Sequence, residues 1–126
     1  MTIHSGSCHC GRVRYTADLD LSRGSVRCNC SVCAKGRMWF AMAAEGTFKA
    51  EGVEALTTYT FGDRVRHTFC ATCGVKPFAE VTGMGTAINL ATLDDLSPED
   101  LADIAIHHID GRNDRFDRAP AVTSYL

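Results

Sequence analysis

Short alternating and apolar segments predict a chain built mostly of β-strands. In residues 11–17, Val13, Tyr15 and Ala17 occupy every second position and polar or charged residues stand between them, which is the pattern of a strand with one buried face. Further segments with strand-like composition lie at residues 38–44, 56–61, 66–69, 75–81, 86–91 and 104–109. The pattern therefore predicts a mostly β fold.

Two of these segments enclose a pair of cysteines. Residues 66–69 and 75–81 flank Cys70 and Cys73, which predicts a hairpin with the cysteines in its connection. Pro77 lies inside the second segment and has no N–H to donate to a neighbouring strand. It therefore predicts a sheet edge or a bulge at that point.

One short helix is predicted near the C-terminal end. Ser97 is suited to cap it, Pro98 suits its first position, and the next two residues are acidic, as favoured in a first helical turn. Residues 110–126 are polar and show no periodicity. They predict a loop that opens with a turn at Asp110-Gly111.

Length and composition indicate one globular domain, residues 1–126, with 45% hydrophobic and 22% charged residues. No apolar run is long enough to span a bilayer, and the first ten residues lack the apolar region of a secretory signal. The net charge of −2 offers little positive charge for phosphates, which argues against nucleic acid. We expect a cytoplasmic protein that binds neither membrane nor nucleic acid.

Cysteine is the unusual feature of this composition, with seven among 126 residues. The number is odd, and each cysteine has another two or three positions away, a spacing that strains a disulfide but suits two ligands on one metal. The cysteines fall into three groups: Cys8 and Cys10; Cys28, Cys30 and Cys33; Cys70 and Cys73. Metal binding explains this spacing better than disulfides do.

Two distant pairs would complete one structural zinc site, because structural zinc takes four thiolate or imidazole ligands in a tetrahedron. The four ligands in this interpretation are Cys8, Cys10, Cys70 and Cys73. Gly11 and Gly74 each follow a pair, where a positive φ lets backbone N–H groups point at the sulfurs.

The three remaining cysteines are Cys28, Cys30 and Cys33, and they could bind one face of a second zinc ion. Three protein ligands with a fourth position open are typical of catalytic zinc. Spacing leaves a second partition open, which joins Cys8, Cys10, Cys28 and Cys30 in one site and Cys33, Cys70 and Cys73 in the other. A histidine could also complete a second site, the candidates being His4, His9, His67, His107 and His108.

Three motifs in this order resemble the glutathione-dependent formaldehyde-activating enzyme family, which shares the Mss4-like fold and includes centromere protein V. They are GSCHCGRVRY at residues 6–15, CNCSVC at residues 28–33 and FCATCG at residues 69–74. Ile109-Asp110-Gly111-Arg112 resembles a further, less distinctive family feature.

The resemblance implies an Mss4-like fold of small antiparallel sheets around a structural zinc. It implies two Zn²⁺ ions, the structural one on Cys8, Cys10, Cys70 and Cys73 and a catalytic one on Cys28, Cys30 and Cys33. The implied activity is that of a carbon–sulfur lyase-like enzyme, which joins glutathione to formaldehyde and gives S-hydroxymethylglutathione. The expected partners are therefore a glutathione-like thiol and a small aldehyde.

Residues around the three-cysteine loop are further candidates. Lys35, Arg37 and Arg27 could bind the carboxylates of a glutathione-like ligand or simply offset the charge of the thiolates. Asn29 and Ser31 lie between the cysteines and could donate hydrogen bonds to sulfur. Trp39 and Phe40 are predicted core residues on the following strand.

Two other functional classes compete with an enzyme. A noncatalytic zinc scaffold or thiol carrier would use the same cysteines to fold and to bind a partner. A redox sensor would form a disulfide within the three-cysteine loop and release metal. Zinc held by three thiolates is a weak Lewis acid, so the open position favours holding a thiol over polarising a carbonyl.

Overall fold

Two β-sheets contain most of the regular structure in the computed structural model, which describes residues 2–126. The strands are β1 Thr2–Ser7, β2 Arg14–Leu19, β3 Ser25–Cys28, β4 Trp39–Met42, β5 Lys49–Glu51, β6 Leu56–Phe61, β7 Val65–Cys70, β8 Phe78–Val81, β9 Gly85–Asn89 and β10 Ile106–Ile109. The two α-helices are α1 Ser31–Gly36 and α2 Pro98–Ala102. The predicted mostly β fold is confirmed.

The smaller sheet has three strands in the order β1-β2-β5, and the larger has seven in the order β10-β3-β4-β9-β8-β7-β6. All pairs are antiparallel except β10 and β3, which run parallel. β7 and β8 form the predicted hairpin around the third cysteine group. The second sheet is thus larger than the small antiparallel sheets expected, and it contains one parallel pair.

The core lies between the inner faces of the two sheets. The alternation that predicted β2 is confirmed, because Val13, Tyr15 and Ala17 are all buried. Tyr15 meets Phe78 of the larger sheet edge to face at 5.9 Å between ring centroids, and its hydroxyl hydrogen-bonds Thr92 at 2.8 Å. Aromatic pairs of this kind add to the stability that apolar burial provides.

The predicted helix forms as α2. Ser97 caps it by accepting a hydrogen bond from the N–H of Asp100, whose carboxylate accepts one from the N–H of Ser97 in return. This reciprocal arrangement satisfies two backbone donors at the helix start. Beyond β10, the predicted loop contains a short 3-10 turn at Gly111–Asn113 and a single β-bridge between Asp110 and Arg115.

Four elements were missed and one position was interpreted wrongly. β1, β3, β5 and α1 are short and polar, so none shows a clear period. Pro77 is wrong as an edge or bulge marker: it is fully buried just before β8, a central strand, and its carbonyl accepts a hydrogen bond from the N–H of Asn89 at 3.0 Å. Proline is tolerated there because the ladder begins one residue later.

No helix in residues 2–126 has the length and apolar character needed to cross a membrane.

Candidate metal centres

Four cysteines from two distant loops converge on one point. The sulfurs of Cys8, Cys10, Cys70 and Cys73 all lie within 4.8 Å of one another. Cys8 and Cys10 stand in the connection between β1 and β2, whereas Cys70 ends β7 and Cys73 follows it. The cluster therefore joins the smaller sheet to the larger one, and the alternative partition of the cysteines is wrong.

The two loops repeat one backbone arrangement. Cys8 N–H donates to the Val13 carbonyl at 3.0 Å, and Cys70 N–H donates to the Val75 carbonyl at 2.9 Å. Gly11 has φ 81° and turns the first loop back on itself, as predicted. The N–H of Val13 then lies 3.4 Å from Cys8 Sγ, where it can spread the charge of a thiolate.

The second loop has the same effect, through Gly74 at φ 80°. Hydrogen bonds from the backbone N–H of Val75 and then of Cys10 lower the pKa of Cys73 to about 6. The N–H groups of Cys73 and Thr72 lower the pKa of Cys70 as well. Backbone donors thus favour the thiolate, which is the form that binds metal.

The spacing of these sulfurs fits zinc. Cys8 Sγ lies 3.6 Å from Cys10 Sγ, which lies 3.7 Å from Cys70 Sγ. A tetrahedral zinc with bonds of about 2.3 Å to sulfur requires neighbouring sulfurs roughly 3.8 Å apart. The four residues could therefore hold Zn²⁺ with little movement.

The remaining cysteines, Cys28, Cys30 and Cys33, form a second cluster, here called the triad, with all three sulfurs within 4.8 Å of one another. Cys28 ends β3, Cys30 is the N-cap of α1, and Cys33 lies within that helix. The sharp change from strand to helix brings the sulfurs to one side. Cys30 N–H also approaches Cys28 Sγ at 3.4 Å.

The mutual contacts of the triad favour the thiolate at Cys30 and disfavour it at Cys28 and Cys33. Hydrogen bonds from the thiols of Cys28 and Cys33 lower the pKa of Cys30. Hydrogen bonds with Cys28 and, to a smaller extent, with Cys30 raise the pKa of Cys33. The hydrogen bond with Cys30 raises the pKa of Cys28. Three thiolates this close repel one another, so a divalent cation is the group that would let all three ionise.

The triad lacks a fourth protein ligand within residues 2–126, since no other cysteine, histidine or carboxylate joins the cluster. None of the five histidines belongs to either cluster, so the proposed completion by histidine is not supported. His4, for example, lies instead beside the Asp95 carboxylate at 3.2 Å. A metal held by the triad would keep one coordination position for another ligand.

The turn after β10 packs against the triad loop and is hydrogen-bonded to it. The side chain of Asn29 donates to Asp110 Oδ1 at 2.8 Å and accepts from the N–H of Arg112 at 3.0 Å. Asn29 and Asp110 are both buried. Asn29 therefore fixes the triad loop to this turn and makes no hydrogen bond to sulfur, in contrast to what its position between two cysteines predicted.

Gly111 is the residue of this turn that lies against the triad. A Cβ added there would lie 2.5 Å from Cys28 Sγ and 3.4 Å from the Cβ of Cys30. The backbone of Gly111 does not have a positive φ, so close approach and not backbone strain excludes a side chain. Sequence reasoning noted this turn as a family feature and missed its contact with sulfur, which has no local pattern.

Gly111→Ala is expected to weaken metal binding at the triad by roughly 10- to 100-fold, the range typical when groups that orient ligands are disturbed. The added methyl group displaces Cys28 Sγ from its partners, while overpacking costs the fold only about 1–3 kcal/mol. Competition with a chelator would measure the affinity. Gly36→Ala is the matched control, because its Cβ meets nothing closer than Lys76 Nζ at 3.8 Å. Equal affinities in both variants would show that Gly111 does not shape the site.

The three charged residues proposed as ligand-binding groups near the triad differ in exposure and contacts. Lys35 and Arg37 are exposed on or just after α1. Arg27 instead stacks over the Trp39 ring, 5.4 Å from its centroid, which accounts for it without a ligand. Trp39 is partly buried and donates to Ser25 Oγ at 2.6 Å, as expected of a core residue.

Comparisons with known proteins agree with this geometry. A family model described as "Glutathione-dependent formaldehyde-activating enzyme" matches residues 3–109, which include all seven cysteines. The chain is also similar to the crystal structure of a Rhodobacter sphaeroides protein that was a structural genomics target. The two are 32% identical, the match covers 81% of this chain and 98% of that chain, and the TM-score is 0.70.

Proposed function

This chain belongs to the glutathione-dependent formaldehyde-activating enzyme family, and we propose that residues 1–126 act as one zinc-binding domain with the activity of that family. The proposed reaction joins a thiol such as glutathione to a small aldehyde. With formaldehyde the product is S-hydroxymethylglutathione, so the enzyme is of the carbon–sulfur lyase type. The four-cysteine cluster is the structural site, and the triad is the catalytic one.

One observation carries the proposal: three sulfurs meet at 4.8 Å or less, and no fourth protein ligand joins them within residues 2–126. Cys28, Cys30 and Cys33 would hold the zinc ion. The ion would supply an open position that favours the thiolate form of an added thiol, which is the nucleophilic form. Gly111 leaves the space beside Cys28 that this arrangement needs.

The reaction consumes no oxidant or reductant. The thiol gives up its proton to solvent, its sulfur attacks the carbonyl carbon, and the new carbon–sulfur bond forms as the carbonyl π electrons move to oxygen. That oxygen then takes up a proton from solvent. The sum is thiol plus aldehyde giving a hemithioacetal, which is a hydroxymethyl thioether when the aldehyde is formaldehyde. Reduced thiols are required throughout, which fits a cytoplasmic location.

Exchange NMR with ¹³C-formaldehyde and glutathione tests the proposal. The two compounds also react without a catalyst, so the rate must be measured both with and without protein. The zinc-loaded protein is expected to raise the rate of product formation in proportion to protein concentration. Chelation of the triad metal should return the rate to that of buffer. A rate that equals the uncatalysed one at every protein concentration would reject the proposed reaction.

A further inference from the structure

A lysine and a histidine form an isolated pair close to the triad. Lys76 precedes β8, and its Nζ lies 3.0 Å from Nδ1 of His67 on β7. An ammonium group has only hydrogen-bond donors, so Nδ1 of His67 accepts and the imidazole is neutral with its hydrogen on Nε2. The histidine thereby fixes the position of the ammonium group.

The ammonium group lies on the side of α1 that carries one of the triad cysteines. Lys76 Nζ is 3.8 Å from the position of a Cβ at Gly36. Gly36 follows Cys33 by three residues on the same helix, so their Cβ positions are neighbours roughly 5–6 Å apart. The charge of Lys76 is therefore brought beside the triad by the β7–β8 hairpin.

The electrostatics agree with this placement. Burial lowers the pKa of Lys76, and the thiolates of Cys33 and Cys30 act in the opposite direction. Burial also lowers the pKa of His67, and the neighbouring Lys76 lowers it further, which keeps the imidazole neutral. The ammonium group of Lys76 thus interacts electrostatically with the triad thiolates, and His67 is its uncharged hydrogen-bond acceptor.

The pair is not explained by the needs of the fold. His67 is only 4% exposed, and its Nε2 has no hydrogen-bond partner among residues 2–126. A buried donor without an acceptor costs about 1–3 kcal/mol. Over the same residues, Lys76 forms no ion pair with a carboxylate. The fold thus accepts a costly histidine next to a lysine that has no carboxylate partner and whose charged neighbours are the thiolates of the triad.

We propose that Lys76, held in place by His67, is an anion-binding group beside the triad and binds the aldehyde oxygen as it becomes negatively charged. The role of the oxygen rests on the proposed function. The thiolate sulfur and the carbonyl oxygen are separated by a single carbon in the product, so a group that binds the oxygen must lie beside the sulfur. Lys76 is anchored by His67 against the helix that carries Cys33, one turn from that cysteine, whereas the exposed Lys35 on α1 has no such anchor.

In this scheme the lysine donates a hydrogen bond to the oxygen while the carbon–sulfur bond forms. The π electrons of the carbonyl group settle on an oxygen that faces a positive charge instead of water. Solvent then supplies the proton that converts this oxygen to the hydroxyl of the product, and Lys76 keeps its own charge. His67 touches neither substrate and is a positioning residue.

Lys76→Met tests the role in catalysis, since methionine keeps the length and apolar stem of the side chain. We expect kcat to fall by roughly 100- to 1000-fold, as when one donor to a developing oxyanion is removed, with KM for glutathione changed less than about 3-fold. Lys76→Arg should retain most of kcat. Lys49→Met makes the same chemical change on β5 in the smaller sheet and should leave both constants unchanged.

A binding experiment tests the anion site without turnover. Thioglycolate carries a carboxylate close to its sulfur, and 2-mercaptoethanol has a neutral hydroxyl in its place. Calorimetry with the zinc-loaded protein should show at least 10-fold tighter binding of thioglycolate, after correction for thiol pKa. Lys76→Met should abolish this preference while two zinc ions remain bound. An unchanged preference in Lys76→Met would overturn the assignment of an anion site.

A double-variant cycle tests His67 as a positioning residue. His67→Phe should reduce kcat and the thioglycolate preference in the same direction as Lys76→Met, and it should add nothing when Lys76 is already methionine. Additive effects would mean that His67 acts independently of the lysine. Rescue of the effect by His67→Gln, which retains an acceptor, would support positioning.

The outcomes also separate this inference from the proposed function. A rise in KM for glutathione with kcat unchanged would place a substrate carboxylate on Lys76 and overturn its role at the aldehyde oxygen. A wild-type protein without turnover would reject the proposed reaction and, with it, the oxygen as ligand. The thioglycolate preference would then still decide whether Lys76 forms an anion site.

Discussion

Replacing Cys73 with serine is expected to unfold the protein. Structural zinc contributes about 10–16 kcal/mol to folding in small zinc domains, which exceeds or equals the whole stability of a typical domain. Cys73 is only half-buried, so the serine introduces no large burial penalty of its own. Loss of the ligand is therefore the dominant effect, and circular dichroism should show loss of strand signal at 25 °C.

The matched control for this variant is Thr72→Ser in the same loop. Thr72 is exposed and is not part of the cluster. The free energy of unfolding of the Thr72→Ser protein should therefore stay within about 0.5 kcal/mol of the wild-type value. If Cys73→Ser folds and melts like this control, the four-cysteine cluster does not hold the two sheets together.

Replacing Cys30 with serine should give the opposite result, a folded protein that has lost one metal and its activity. Cys30 is the N-cap of α1, and its side chain makes no capping bond. Serine is among the best N-cap residues, so α1 should be retained. Loss of a direct ligand should reduce metal affinity at the triad, and the rate, by more than about 100-fold. Metal analysis and the exchange NMR assay measure the two effects.

Ser31→Ala is the control for Cys30→Ser. Ser31 is exposed in the same helix, and its hydroxyl makes no hydrogen bond to sulfur among residues 2–126, in contrast to the role its position suggested, so the variant should keep both metals and the rate. A Cys30→Ser protein that retains its activity would refute the catalytic assignment and leave a zinc scaffold. One that unfolds as completely as Cys73→Ser would show that the two clusters share the structural role.

The two variants are expected to differ because metal binding closes a short loop at the triad and a long loop at the four-cysteine cluster. The triad comes from six consecutive residues, whereas Cys10 and Cys70 are separated by 60 positions. Closing a long loop removes more conformational entropy from the unfolded chain than closing a short one. The four-cysteine cluster also joins two sheets, which the triad does not.

Sequence patterns predicted the parts of the molecule that local chemistry determines. Alternation identified the buried face of β2, because Tyr15 and Ala17 need the same side of a sheet. Ser97 and Pro98 located α2, because capping depends on residues adjacent in sequence. Cysteine spacing favoured metal ligands over disulfides, since cysteines two or three residues apart are well placed to bind a common metal.

The parts that were missed depend on contacts between distant segments. β1 has no apolar period and is held by its pairing with β2. Spacing alone left two partitions of the cysteines open, and the approach of the β7–β8 hairpin to the first loop decides between them. Gly111 and Lys76 belong to no sequence motif. Only the folded structure shows that Gly111 lies against Cys28 and that Lys76 lies against α1.

X-ray absorption at the zinc edge, with metal analysis of the same samples, tests the central claim most directly. The account predicts two zinc ions per chain. Without added thiol the average should be three and a half sulfur ligands per zinc, the mean of a four-sulfur and a three-sulfur site, and glutathione should raise it to four. Four sulfurs at both metals before any thiol is added, or a single zinc per chain, would contradict an open catalytic position.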